Sequence, residues 1–167
     1  MTIARQEPSF VADERTMLEG WLDYHRATLE MKCEGLSAEQ LRLCSVPPST
    51  LSLLGLVRHM AEVERSWFRR RFAGQDAPLL YCSDSDPDGD FDRVDTADPS
   101  EAFATWRAEC EAARALTADV SSLDARAAGT VDSISLRWIL THMIEEYARH
   151  NGHADLLRQR IDGAVGD

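Results

Sequence analysis

The sequence has no apolar run approaching the roughly 18 residues that a membrane-spanning helix needs. Its first residues, MTIARQEPSFVADER, carry acidic groups and lack the apolar stretch of a signal peptide, so no membrane association and a cytoplasmic location are expected. Positive charge is also scarce: 18 basic residues stand against 29 acidic ones, a formal net charge of -11. A field of that sign repels a phosphate backbone and argues against a nucleic-acid partner. The four cysteines, Cys33, Cys44, Cys82 and Cys110, include no C-x-x-C pair. That removes the spacing of a zinc knuckle or a redox dithiol, and dispersed cysteines of this kind are expected as small core residues.

What is present is an ordinary globular composition, 44% hydrophobic and 28% charged over 167 residues. That length suits one domain, residues 1–167, with a core of its own. Four segments carry apolar residues at helical spacing, and none alternates as a strand would. The first runs from about Asp13 to Glu34, with Leu18, Trp21, Leu22, His25 and Leu29 on one stripe and Gly35 as its stop. Ser37 and Gln40 stand in capping-box spacing for a short turn.

Pro47 and Pro48 break the chain before a second helix, capped at Ser52 and ended by Gly74. The third opens with Asp98 as cap and Pro99 at the first helical position, and Phe103, Trp106, Cys110, Ala113 and Leu116 form its apolar stripe. The fourth runs from near Ser135 to about Ile161 and stops at Gly163. Four long helices in one such chain predict an all-α four-helix bundle, and the long acidic connection from Gln75 to Ala97 predicts a crossover.

The fourth helix carries the chemistry. His142, Glu146, His150 and His153 fall on one edge of its apolar face, a polar row where a bundle can host a metal. They cannot all reach one ion, because His142 and His150 are about 12 Å apart along the axis. The pairs His142/Glu146, Glu146/His150 and His150/His153 stay open, each needing a third ligand from another helix. His59 on the second helix and His25 on the first are the candidates for it.

The segments HMAEVERSWF and SLRWILTHMIEEYARHNGHADLLRQRIDG, together with MLEGWLDYHRATL and GLSAEQL, resemble the DinB-like metalloprotein superfamily. Within it they resemble the actinobacterial mini-circle protein branch, a domain of unknown function related to the mycothiol-dependent maleylpyruvate isomerases. The resemblance implies a four-helix bundle with a divalent ion near one end. Its ligands would be His59, Glu146 and His150. Many relatives have a histidine where Glu146 stands, whereas the isomerases have a glutamate. A carboxylate there widens the plausible metals from zinc to nickel, manganese or iron.

The resemblance further implies a metal-dependent S-transferase or isomerase working with a low-molecular-weight thiol such as mycothiol and an electrophilic substrate, in a homodimer. His142 and His153 could hydrogen-bond a ligand. Arg58 and Arg149, adjacent to the ligands, could hold a carboxylate of the thiol cofactor. The alternative is a non-catalytic metal-binding or stress-response dimer. A third reading is a calcium module in the loop DSDPDGDFDRVD, residues 84–95, where Asp84, Asp86, Asp88 and Gly89 match the first positions of a calcium loop. Asp95 at the last position, where a glutamate is usual, and the intruding Pro87 weaken that match.

Overall fold

A computed structural model describes residues 5–129 and 133–165. The protein is all-α, as its periodicity predicts. The helices are α1 (Glu14–Cys33), α2 (Ala38–Arg42), α3 (Leu53–Glu64, continued by a π-helical stretch, Arg65–Phe72), α4 (Gly89–Asp92), α5 (Pro99–Ala118) and α6 (Leu136–Asp162). Among the described residues the only bridges are isolated ones, Ser83 with Asp86 and Arg126 with Ser135. None of the described helices is long and apolar enough to cross a membrane. The chain divides into two compact units, one made of the residues up to Leu53 with those from Leu140 onward, the other of Leu54–Ile139.

In the first unit, α1 begins where the Asp13 carboxylate accepts the Thr16 amide hydrogen (3.1 Å). It ends before Gly35, whose φ of 78° few other residues adopt. The Ser37–Gln40 capping box closes on both sides, as predicted. Leu22, Leu29 and Cys33 of α1 and Met143, Tyr147, Ala154 and Leu157 of α6 are buried. Each large apolar side chain among them contributes about 1.5–3 kcal/mol.

Polar groups fix the register of α6 on α1. The Asn151 amide donates to the His25 carbonyl (3.0 Å), and Lys32 pairs with Asp155 (2.7 Å). The Arg158 guanidinium donates to the carbonyls of Lys32 (3.1 Å) and Glu34 (2.8 Å). A cation there satisfies carbonyls that the end of α1 leaves open.

In the second unit, Leu54, Leu56, Val57, Met60 and Ala61 of α3 are buried, as are Phe68 and Phe72 beyond it. The predicted second helix keeps its span but not its geometry, because from Arg65 it widens into a π-helix. Buried Glu109 of α5 packs against this stretch: one of its oxygens accepts from Arg65 (2.6 Å) and Arg69 (3.2 Å) together. The stretch ends at Gly74, with φ 64°. Asp98 caps α5 through the Ser100 amide (2.9 Å), with Pro99 following as predicted.

The connection between Gln75 and Ala97 is held from α3. Glu62 is buried, and one of its oxygens accepts the amide hydrogens of Leu80 (2.8 Å) and Tyr81 (2.9 Å). Arg65 donates to the Pro78 carbonyl (3.0 Å). Arg58 donates to the carbonyls of Gly89 (2.8 Å) and Arg93 (3.0 Å). A side chain at Gly89 would put its Cβ 2.4 Å from the Tyr81 carbonyl oxygen, so the loop closes on itself only with glycine there.

The expectation for the cysteines holds for half of them. Cys33 and Cys110 are buried, Cys82 is partly buried, and Cys44 is exposed. Cys44 follows α2, outside any apolar stripe, and its thiol donates to the Thr50 carbonyl (3.1 Å).

Candidate metal centre

Glu146 sits one turn from a histidine on either side of it along α6. Its Oε1 lies 3.2 Å from His142 Nε2 and its Oε2 lies 3.6 Å from His150 Nε2. The side chains of Glu146 and His150 are 22% and 12% exposed, so both are held largely away from solvent yet remain reachable. The His153 ring meets the His150 ring edge-on at 5.5 Å. His153 Nδ1 is buried without a hydrogen-bond partner.

On α3, His59 Nδ1 is 2.8 Å from Asp90 Oδ2. The imidazole stacks on Phe91, with ring centroids 4.6 Å apart and planes 27° apart. Both partners come from α4 in the acidic loop, and Asp90 is 3% exposed. On α6, Glu146 and His150 form one candidate pair of donors. His142, Glu145 and Glu146 form a second group, with donor atoms within 4.8 Å of one another, all on one helix and with Glu145 exposed.

His25, the alternative third ligand, belongs to neither group. Its ring lies beside Trp21 and Tyr24, and its Nδ1 is 3.4 Å from the Asn151 amide nitrogen. Burial holds its pKa below the usual histidine value.

Residues 17–163 match the mycothiol-S-transferase family. The chain belongs to that family. Its DinB-like character agrees with the resemblance drawn from the α3 and α6 segments. No curated protein matches the chain. Among solved structures, the crystal structure of a conserved protein from Enterococcus faecalis aligns over 92% of this chain and 100% of that one, with a TM-score of 0.64 at 15% identity. At that identity the likeness shows the all-α fold and nothing of the activity.

For a member of the mycothiol-S-transferase family, the two arginines beside the candidate ligands sit in unequal surroundings. Arg149 is 66% exposed and pairs with Glu145 (3.3 Å) on the outer side of α6. Arg58 is buried, with its terminal nitrogens already given to the Gly89 and Arg93 carbonyls and its guanidinium over the Tyr81 ring at 4.2 Å.

The acidic loop does not gather its carboxylates as a calcium loop would. Among the described residues no three of them bring donor atoms within 4.8 Å. Ser83 and Asp86 exchange backbone hydrogen bonds (3.0 and 3.1 Å), and residues 89–92 turn helical, which separates the two halves of the run. Asp86 pairs with Arg93, and Asp90 is taken by His59. Sequence reasoning missed Asp90, which is one of six aspartates from Asp84 to Asp95 and carries no local mark of its burial.

Proposed function

We propose that this chain is a divalent-metal-dependent S-transferase that joins a low-molecular-weight thiol of the mycothiol class to an electrophilic substrate. The ion would be held by His59, Glu146 and His150. The observation that carries the reading is the pairing of Glu146 and His150, one turn apart with facing donor atoms 3.6 Å from each other, in a chain of this family.

The residues fit such an ion. An ion about 2 Å from each ligand asks for donors about 3 Å apart, close to what Glu146 and His150 already offer. Two imidazole nitrogens and one carboxylate oxygen suit zinc, nickel, manganese or iron. When bound, the metal supplies Lewis acidity that favours the thiolate of a coordinated thiol at neutral pH. Glu146 contributes the negative charge of the ligand set, and His142 engages its second oxygen and so holds the carboxylate plane. Three protein ligands leave room for a further one, as a substrate-binding ion requires. A homodimer is the assembly expected with this reading.

Calorimetric titration of mycothiol into nickel- or zinc-loaded protein tests it. Binding is expected with loaded wild type and not with metal-free protein or with His150→Ala. Absence of thiol binding in the fully loaded protein would leave the ion a structural one and remove the transferase reading.

A further inference from the structure

We propose that Asp90, presented by the acidic loop, is a positioning residue that holds His59 as the Nδ1–H tautomer and so reserves Nε2 for the divalent ion. The inference rests on the metal-site reading above and assigns the loop a role within it. The contact is short (2.8 Å) and its carboxylate is buried. An ionised carboxylate can only accept, so the hydrogen between Nδ1 and Oδ2 belongs to the imidazole. The lone pair of the neutral ring is then on Nε2, where a metal ligand needs it.

The rest of the loop is built to present that oxygen. Asp90 Oδ1 accepts the Phe91 amide hydrogen (3.0 Å), which fixes the carboxylate plane. Phe91 stacks on the imidazole face and limits rotation of the His59 ring about its own axis. Arg58, the neighbour of His59 on α3, grips the carbonyls of Gly89 and Arg93, on either side of Asp90 in the chain. One helix turn therefore carries both the candidate ligand and the anchor of its partner. Gly89, where a Cβ would collide with the Tyr81 carbonyl oxygen, permits the close loop turn immediately before Asp90. Of the six loop aspartates, Asp90 alone is buried.

Nickel titration of wild type, Asp90→Asn, Asp90→Leu and His59→Ala, each checked by circular dichroism, tests this. It is read beside the imidazole nitrogen shifts of His59 in metal-free wild type at alkaline pH. The expected result is a proton on Nδ1 in wild type and nickel affinity lowered 10- to 100-fold in the folded Asp90 variants. Asn keeps the volume but exchanges the charged acceptor for a neutral amide, so that variant carries the test if Leu fails to fold. A proton on Nε2 in wild type, or wild-type nickel affinity in Asp90→Asn and Asp90→Leu alongside loss in His59→Ala, would overturn the positioning role alone. Wild-type affinity in His59→Ala would instead overturn the metal-site reading and this inference with it.

Discussion

The guanidinium of Arg58 lies 4.2 Å from the centroid of the Tyr81 ring while its terminal nitrogens donate to two carbonyls of the same loop. An arginine so engaged stabilises the fold, whatever else it touches. Arg58→Met is expected to cost about 1–3 kcal/mol, since it leaves two carbonyls without their charged donor. Arg149→Ala, at an exposed position, should stay within about 0.5 kcal/mol of wild type. Urea unfolding measures both. Equal stability of the two variants would contradict the anchoring role of Arg58.

Acidification should weaken the fold through His25. Burial lowers its pKa in the folded protein, so the unfolded chain takes up the proton first as pH falls. Its contribution to stability is complete above the ordinary histidine pKa and is lost as pH drops through the lowered one. His25→Gln should therefore lose less thermal stability than wild type between neutral and mildly acidic pH. Parallel pH profiles for the two proteins would contradict this.

The thiols should separate sharply in reactivity. Burial pushes Cys33 up to about 12 and Cys82 up to about 11, so neither supplies much thiolate at neutral pH. Cys110 is buried with its sulfur 3.6 Å from Glu64. An aromatic disulfide reagent is expected to titrate Cys44 rapidly and the others only on unfolding. Cys44→Ser should abolish the fast phase, and a fast phase surviving in that variant would contradict the assignment.

Helix boundaries were legible in the sequence wherever the determining group is local. Asp13, the Ser37–Gln40 box, the Asp98–Pro99 start and the stop at Gly163 each act on backbone within a few residues of themselves. The π-helical widening after Glu64 left no mark in the apolar spacing, and the carboxylate that gathers Arg65 and Arg69 there comes from Glu109 on another helix. The same distinction runs through the candidate site. One-turn spacing left His142/Glu146, Glu146/His150 and His150/His153 all open, and only the family resemblance chose among them, as it chose His59 over His25. Asp90 could not be singled out among its neighbours, since burial at 31 residues' separation from His59 leaves no periodic signal.

Metal content tests the proposed ligand set most directly. Elemental analysis of untagged protein, purified without chelator and loaded with nickel or zinc, should find close to one ion per chain. His59→Ala, Glu146→Ala and His150→Ala should each lose it while circular dichroism remains that of the wild type. An ion retained in any of the three folded variants would contradict the ligand set, and a wild-type protein that takes up neither metal would contradict the site itself.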